Sequence, residues 1–444
     1  MARTKKEAAL TPEERLQAAL VPDWEWPYKL PENWCWTTVG AINQYEGISA
    51  DPTKAKNETF ELYSVPSSAD NYPEIVLGAD IGSAKQSVKK GDVLLCKINP
   101  RINRVWKVSK YTDHSLLASS EWIVIRNSRL ISNYLMWCLR SPYFRGYMLS
   151  NVSGVGGSLM RAQPKFVQGY PIPVPPLAEQ QRIVDRIENL FVKLDEAKEK
   201  AQAVVDSFET RKAAILHKAF TGELTAKWRE EHGVSIDNWK TTRFDSVAAI
   251  RSNLVDPAEY QSFPHIAPDN IEKKTGVLLE YHTIAEDGVT SGKHRFYSGQ
   301  ILYSKIRPYL SKAVVVDFDG LCSADMYPIE AYQNARCLWY YMLSDEFLLQ
   351  ASTAGSRSVL PKINQKELSA LTVHLPTNDR EQEEIARILD ELFDKEQQTK
   401  EAAEIVLDQI DLMKKSILAR AFRGELGTND PSEESAMELL KRVL

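Results

Sequence analysis

The sequence predicts an α+β protein in which two globular domains of mixed α and β structure are separated by two long antiparallel coiled-coil helices with a pseudo-two-fold internal repeat. Three observations predict this architecture. Two stretches share the apolar periodicity of a long helix, their matched residues lie a constant 202 positions apart, and each follows a globular segment of about 150 residues. A length kept without insertion or deletion indicates a spacer of fixed size.

The repeated stretch has the same ends in both copies. The first runs from Glu179-Gln180 to Phe220-Thr221-Gly222-Glu223-Leu224, and the second from Glu381-Gln382 to Phe422-Arg423-Gly424-Glu425-Leu426. Apolar residues between these ends recur at steps of four and three, the heptad pattern of a coiled coil. The positions predicted to pair the helices and to dock partners are Ile183, Ile187, Leu190, Leu194, Val204, Phe208, Ile215, Phe220, Ile385, Leu389, Leu392, Val406, Ile410, Ile417 and Phe422.

Polar or charged residues interrupt both apolar seams. Arg211 is the one charged break in the first seam, and Glu396 and Thr399 interrupt the second. These breaks favour helices packed by partners over a free zipper. A long amphipathic helix can also be ordinary core, but two copies of equal length favour the spacer.

The length of the first helix restricts how the two can pair. The run from Leu177 to Thr221 contains no glycine or proline, which predicts one continuous helix, and Gly222 and Gly424 stand where a C-terminal cap belongs. A helix from Ile183 to Phe220 is about 57 Å long at about 1.5 Å per residue. A domain with a radius of gyration near 15 Å does not easily carry the chain back along it. The second helix is therefore expected to run antiparallel to the first.

Composition places the chain among ordinary soluble proteins. Its 444 residues predict two or three domains, and its formal charge of −5 argues against an indiscriminate polycation without excluding local nucleic-acid patches. The five cysteines form no CxxC pair, so neither a zinc site nor a disulfide framework is indicated. The absence of a long apolar run and of a signal peptide predicts a cytoplasmic protein without a membrane span.

The domain boundaries follow from these stretches. A short helix in the N-terminal extension begins with a capping box at Thr11–Glu14, and its apolar side is expected to dock on its own chain rather than on a partner. The acid-rich tail is expected to be a flexible end with one short helix. The predicted order is an N-terminal extension (1–29), a first globular domain (30–176), a first long helix (177–226), a second globular domain (227–376), a second long helix (377–426) and the tail (427–444).

The globular domains are themselves looser repeats. Gly91–Pro100 matches Gly299–Pro308, and Ser119–Glu121 matches Ser323–Asp325. The offsets between matched positions vary, unlike those of the helices, so the domains tolerate insertions as loops do.

The sequence offers no convincing active site. Gly288–Lys293 resembles a phosphate loop but has three residues between its glycines and is followed by His294 rather than Ser or Thr. The motif that grips a flipped adenine in amino-methyltransferases is absent, and the histidines lack metal-ligand spacing. The residues therefore indicate neither an active site nor a metal site.

Basic and aromatic residues occupy equivalent places in the two domains. Lys and Arg supply phosphate contacts, and Arg reads guanine edges, so paired patches suit a duplex bound at two places. A solvated strand face, and ordinary surface loops around Arg161 and Arg357, remain the alternatives. The candidate DNA-binding residues are Lys97, Arg101, Arg104, Lys107, Lys110, Arg161, Lys165, Lys293, His294, Arg295, Lys305, Arg307, Tyr309, Lys312 and Arg357.

The whole pattern resembles the specificity subunit of a Type I restriction–modification system. The resemblance covers Leu30 to Leu426 and rests on the alternation of domains and helices, on Pro-Pro-Leu-Ala-Glu-Gln at 175–180, and on two Ala-Phe-x-Gly-Glu-Leu endings. The first helix continues into Thr-Ala-Lys-Trp at 225–228, as in that family, whereas the second departs after Leu426.

The resemblance implies a division of labour. Each domain would be a target recognition domain that reads half of a bipartite site in double-stranded DNA, while the helices set the spacer and dock two modification subunits. This chain would itself be non-catalytic and would bind no cofactor. S-adenosylmethionine, ATP and magnesium would belong to the two modification subunits and to two motor-nuclease restriction subunits. A stand-alone DNA-binding regulator and a protein-binding scaffold are the alternatives.

Overall fold

The computed structural model describes residues 11–153, 160–354 and 361–444. The chain divides into two compact units, Met1–Lys200 with Val406–Leu444 (unit 1) and Ala201–Ile405 (unit 2). Each unit contains one of the predicted globular domains together with parts of both long helices. The predicted mixture of helices and strands is confirmed. Within the described ranges, no helix is long and apolar enough to cross a membrane.

The helices and strands have the following bounds. The helices are α1 (Pro12–Ala19), α2 (Val39–Ile42), α3 (Ser132–Arg140), α4 (Pro142–Ser150), α5 (Pro164–Val167), α6 (Leu177–Asp206), α7 (Phe208–Phe220), α8 (Ala226–His232), α9 (Ile284–Asp287), α10 (Ala335–Met342), α11 (Asp345–Ala354), α12 (Gln365–Ala370), α13 (Asp379–Ala421) and α14 (Ala436–Val443). The strands of unit 1 are β1 (Cys35–Thr38), β2 (Ser49–Ala50), β3 (Thr59–Tyr63), β4 (Glu74–Leu77), β5 (Lys85–Ser87), β6 (Val93–Cys96), β7 (Val105–Lys107), β8 (Ser115–Ala118), β9 (Trp122–Ile125), β10 (Val152–Ser153), β11 (Arg161–Ala162) and β12 (Pro171–Val174). Those of unit 2 are β13 (Trp239–Arg243), β14 (Ala248–Ile250), β15 (Leu254–Val255), β16 (Pro264–Ile266), β17 (His282–Thr283), β18 (Lys293–Phe296), β19 (Ile301–Ser304), β20 (Ala313–Val315), β21 (Gly320–Cys322), β22 (Met326–Ala331) and β23 (Thr372–Pro376).

The sheets of the two globular domains match in strand order, except that the smaller sheet of unit 2 has one additional strand, β14. In unit 1 a five-stranded sheet has the order β2-β5-β8-β3-β4, and in unit 2 the order is β15-β18-β21-β16-β17. The first sheet contains one parallel pair, β3 with β8, and the second contains the matching pair β16 with β21. A smaller sheet places β6 between β7 and β9, and β19 lies in the same way between β20 and β22. The apolar runs of β6 and β19 are buried on both faces, as central strands require.

The predicted helix ends are confirmed, but the predicted continuity of the first helix is wrong. Gly222 and Gly424 both have positive φ, +81° and +76°, which is the conformation of a C-terminal cap. The first helix is interrupted at Ser207, between α6 and α7. The Ser207 hydroxyl donates to Ala203 O at 2.6 Å and Arg211 donates to Val204 O at 3.2 Å, so side chains compete for carbonyls of the helix. The second helix, α13, is continuous over 43 residues.

Ion pairs join the long helices within each unit. In unit 1, Lys198 Nζ lies 3.2 Å from Asp411 Oδ1, and Lys414 pairs with Asp195. In unit 2, Arg211 Nε donates to Glu396 Oε2 at 2.7 Å. Arg211, which interrupts the first apolar seam, therefore pairs with Glu396, which interrupts the second, and the two charges compensate each other.

The predicted pairing positions are buried to different degrees. Ile183, Ile187, Ile385 and Leu389 have no exposed surface, whereas Val406 is 40% exposed. The remaining predicted positions are buried or half-buried. Val406 thus faces solvent, and its assignment to helix pairing or partner docking stays a prediction.

The repeated Glu-Gln dipeptides anchor each long helix to its globular domain. Gln180 Nε2 donates to Pro175 O at 3.0 Å, and its Oε1 accepts from Ile131 N at 3.0 Å. Gln382 repeats this geometry, because its Nε2 donates to Pro376 O at 2.7 Å and its Oε1 accepts from Asn334 N at 3.2 Å. Each glutamine therefore ties the strand before the helix to the start of α3 or α10.

The two buried glutamates are matched in position but differ in electrostatics. Glu179 accepts from Trp34 Nε1 at 2.8 Å and from Thr428 Oγ1 at 3.2 Å. Its nearby arginine, Arg182, instead binds Glu433 with two hydrogen bonds of 2.8 Å. Burial raises the pKa of Glu179, and the hydrogen bonds from Trp34 and Thr428 only partly oppose that rise.

Glu381 receives a direct cation. It accepts from Arg229 Nη1 at 2.7 Å, from Thr225 Oγ1 at 2.8 Å and from Trp239 Nε1 at 3.0 Å. Burial alone would raise the pKa of Glu381, but the hydrogen bonds, first of all that of Arg229, lower it below its usual value.

The raised pKa of Glu179 predicts how the folding stability of unit 1 depends on pH. The folded state holds the Glu179 proton more tightly than the unfolded state, so stability falls as pH rises from the ordinary glutamate pKa through the raised one. Glu179→Gln is expected to remove this loss for unit 1, while the amide oxygen keeps the Trp34 hydrogen bond. Urea denaturation between about pH 4 and pH 8 measures the difference. The exposed Glu32 provides the control Glu32→Gln, and a pH profile that both variants share with the parent would contradict the prediction.

The two ends of the chain pack together in unit 1. Leu16 and Ala19 of α1 are 4% and 6% exposed, which confirms that this helix docks on its own chain. The predicted short helix of the tail is present as α14, but the expectation of a flexible tail is wrong, because Leu439, Leu440 and Val443 join the same core. Arg15 Nη1 donates to Leu444 O at 3.1 Å. The apolar face of α14 therefore outweighs the acidic composition of the tail.

Candidate nucleic-acid interface

Each globular domain carries a short turn between two residues of left-handed conformation. Asn99 (φ 46°) and Asn103 (φ 52°) flank the 3-10 turn Pro100–Ile102. In the other domain Arg307 (φ 47°) and Ser311 (φ 46°) flank Pro308–Leu310. We call Asn99–Asn103 and Arg307–Ser311 the first and second left-handed turns. Non-glycine residues in this region cost about 1–3 kcal/mol each, and such strain concentrates at functional sites.

The left-handed turns present three exposed residues of the predicted basic patches. Arg101 lies at the tip of the first turn, and Arg307 and Tyr309 lie at the second, with Tyr309 47% exposed. Arg145 Nη2 donates to Arg101 O, which fixes the first turn on α4. Within the turns, Pro100 and Pro308 are buried. The prolines therefore anchor the two turns while the neighbouring side chains face solvent.

The other predicted residues of the first domain differ in exposure and in local partners. Lys107 Nζ donates to Asn133 Oδ1 at 2.5 Å, and Lys110 Nζ lies 3.2 Å from Asp113. Arg104 is half-buried, and Lys165 is exposed on α5. Lys97 and Arg161 share Glu121, as described below. All remain predictions as DNA contacts.

In the second domain the structure separates the predicted residues into buried and accessible ones. Lys293 and His294 are only 5% and 4% exposed, and Lys293 Nζ donates to Ser291 O at 2.8 Å. Burial lowers the pKa of Lys293, and burial followed by the charge of Lys305 lowers that of His294. Neither side chain is presented to a duplex in this conformation, because both are buried, one on each face of β18.

Three further predicted residues of the second domain have local partners. Arg295 is half-buried, with its guanidinium 4.8 Å from the ring centroid of Tyr297. Lys305 Nζ donates to Ala324 O at 2.5 Å, and Lys312 Nζ donates to Pro268 O at 2.7 Å. Arg357 lies outside the described residues.

The sequence reasoning missed the acidic members of the site. Glu121 and Asp325 each lie between two cations, and the third residue of the second cluster, Lys362, was not a candidate. The signal was available, because Ser119–Glu121 and Ser323–Asp325 are matched segments. A search restricted to cations and aromatic residues could not assign them a role.

Known proteins resemble both the sequence and the fold. A family model described as the Type I restriction modification DNA specificity domain matches the chain twice, at residues 38–205 and 236–406. The EcoDI specificity subunit of a Type I restriction enzyme from Escherichia coli is 35% identical over 77% of this chain and 82% of its own length. The EcoKI specificity subunit from Escherichia coli strain K12 is 25% identical over 72% of this chain and 73% of its own length.

Two solved structures share the fold. A chain from a structure of the assembly and conformational transition of the type I restriction–modification system superposes with a TM-score of 0.70 at 21% identity, covering 90% of this chain and all of that one. The HsdS subunit from Thermoanaerobacter tengcongensis gives a TM-score of 0.64 at 21% identity with the same coverage. At this identity the superpositions are evidence for the fold.

Proposed function

The chain belongs to the specificity subunits of Type I restriction–modification systems, and from that premise we propose that each globular domain reads one half of a bipartite target in double-stranded DNA. The observation that carries this proposal is the duplicated left-handed turn with its exposed cations. Two sites of the same construction on two domains of matching strand order suit two contacts with one duplex. Arginine and lysine supply the phosphate contacts, and arginine supplies guanine readout.

We further propose that the two long helices form an antiparallel coiled coil that sets the distance between the half-sites. The ion pairs support this direction, because residue numbers rise along one helix where they fall along the other. In unit 1, Asp195 and Lys198 pair with Lys414 and Asp411, respectively. In unit 2, Phe208 lies against Lys400, at 4.9 Å from Nζ to the ring centroid, while Arg211 pairs with Glu396.

The long helices are also the proposed docking surface for two modification subunits. Exposed apolar side chains on α13 support this role, since Val406, Leu412 and Met413 are 40%, 63% and 49% exposed. Catalysis, together with S-adenosylmethionine, ATP and magnesium, is assigned to the modification subunits and to two restriction subunits. The site described here consists of cations, aromatic rings and two ion-paired carboxylates, a donor set that suits binding of a polyanion.

A domain exchange tests the proposed half-site assignment. Replacing residues 30–170 with the matched segment of the EcoDI relative is expected to change one half of the methylated target and to leave the other half unaltered. Sequencing methylated adenines in a host that carries the chain with its modification subunits gives both halves. Replacing residues 227–376 instead should change only the other half, and a target unchanged by either exchange would refute the assignment.

A further inference from the structure

A carboxylate between two cations lies directly beside the first left-handed turn. Arg161 Nη1 donates to both carboxylate oxygens of Glu121, at 3.1 and 3.0 Å, and Lys97 Nζ lies 3.9 Å from Glu121 Oε2. The main chain fixes these residues, because Lys97 N donates to Glu121 O at 3.1 Å and Ile98 forms a β-bridge with Arg161. The Arg161 side chain is still 51% exposed, so an anchored guanidinium faces solvent.

The second domain builds the same cluster at the same place. Lys362 Nζ lies 3.2 Å from Asp325 Oδ1, and Lys305 Nζ lies 3.8 Å from the same oxygen. Lys305 N donates to Asp325 O at 3.0 Å, and Ile306 forms a β-bridge with Lys362. The backbone contacts are those of the first cluster, so Arg161 and Lys362 occupy equivalent positions.

The difference between arginine and lysine at this position has a chemical consequence. Glu121 engages only Nη1 of Arg161, and among the described residues Nε and Nη2 make no hydrogen bond. That edge of a guanidinium carries two parallel N–H groups, which match the O6 and N7 acceptors of guanine. Lys362 offers a compact point charge without a planar edge, which suits a phosphate oxygen.

We propose that the two equivalent clusters have different roles in DNA binding. Arg161 reads a guanine edge in the first half-site, and Lys362 contacts a phosphate in the second. This inference rests on the proposed function. Glu121 and Asp325 are the positioning residues, because each holds its cation beside a left-handed turn.

Charge-conserving exchanges test the two roles. The parent chain is assembled with its modification subunits, and binding is measured to duplexes that carry the methylated site found in the host, together with every single base-pair substitution of that site. Arg161→Lys is expected to reduce discrimination at one G·C pair of the first half-site by roughly 5- to 150-fold. The slope of affinity against salt should stay the same, because the variant keeps the charge.

Lys362 supplies the matched variants. Lys362→Arg keeps the charge and is expected to leave both discrimination and salt slope as in the parent. Lys362→Gln is expected to weaken binding to all duplexes by the same factor and to reduce the salt slope by about one. The two exchanges at one position separate charge from hydrogen-bond geometry.

The outcomes that overturn the inference differ from those that overturn the function. If Arg161→Lys leaves discrimination unchanged or weakens all duplexes equally, Arg161 does not read a base. If Lys362→Gln relaxes discrimination at one base pair, or leaves binding and salt slope unchanged, the assignment of Lys362 to phosphate is wrong. A parent complex that binds all the duplexes equally would instead overturn the proposed function.

Discussion

Arg229→Ala is expected to lower the free energy of unfolding of unit 2 by about 3–5 kcal/mol, the usual cost of removing one partner from a buried ion pair. The Arg229 side chain is 11% exposed and that of Glu381 is fully buried, so water cannot replace the lost cation. Arg229 Nη2 also donates to Gly222 O at 2.8 Å, and that carbonyl at the end of the first long helix would lose its donor. Hydrogen exchange of the intact chain, read in peptides from 227–376, measures the change.

The same helix offers a matched control. Lys227 of α8 pairs with Glu231 at 3.6 Å, but its side chain is 86% exposed. Lys227→Ala is therefore expected to change the free energy of unfolding by no more than about 0.5 kcal/mol. A loss in Arg229→Ala no larger than that of this control would mean that the buried pair contributes little to stability.

The pH dependence of the Arg229 variant adds a sign test. In the parent, the lowered pKa of Glu381 contributes stability that is present above the ordinary glutamate pKa and is lost as pH falls through the lowered one. Without Arg229, burial is expected to raise the pKa of Glu381, as it does at Glu179. The folding stability of the variant should then fall as pH rises from the ordinary glutamate pKa through the raised pKa of Glu381. Glu381 thus shows this buried position with a direct cation, and Glu179 shows it without one.

Much of this fold could be predicted because the residues that mark the helices and their ends lie close together in the sequence. Heptad spacing predicted the long helices, and Gly222 and Gly424 predicted where they end, since glycine accepts the positive φ of a C-terminal cap. The break at Ser207 was not predicted, because a serine inside a helix shows no preference for bending until its hydroxyl reaches a carbonyl. The contact between Arg211 and Glu396 depends on the register of two distant segments, and no local pattern contains that register.

In both the tail and the site, composition and charge predicted less than the fold shows. The acidic composition of 427–444 suggested a flexible end, but residues 436, 439, 440 and 443 recur at helical spacing and form an apolar face. Lys293 and His294 were chosen for their charge, yet β18 buries them, since proximity in sequence does not tell which face of a strand meets solvent. Glu121 and Asp325 needed the fold to bring them to their cations.

Inserting four residues between Glu199 and Lys200 is expected to change the length of the unspecified spacer in the DNA target or to abolish binding. The insertion adds about 6 Å, one helical turn, to the first long helix alone. The second helix keeps its length, so the pairs Lys198–Asp411 and Arg211–Glu396 cannot both retain their present register. Sequencing methylated adenines in a host that carries the variant and its modification subunits measures the outcome.

A compensated variant separates the length of the helices from their pairing. A second four-residue insertion between Ile405 and Val406 lengthens α13 by the same amount, and every ion pair between the helices can then keep its partner. If the helices set the distance between the half-sites, this double insertion should restore binding. It should also lengthen the spacer by one or two base pairs, because 6 Å corresponds to about two steps of 3.4 Å along the duplex. Restored binding with an unchanged spacer would show that the helices hold the domains together without fixing their separation.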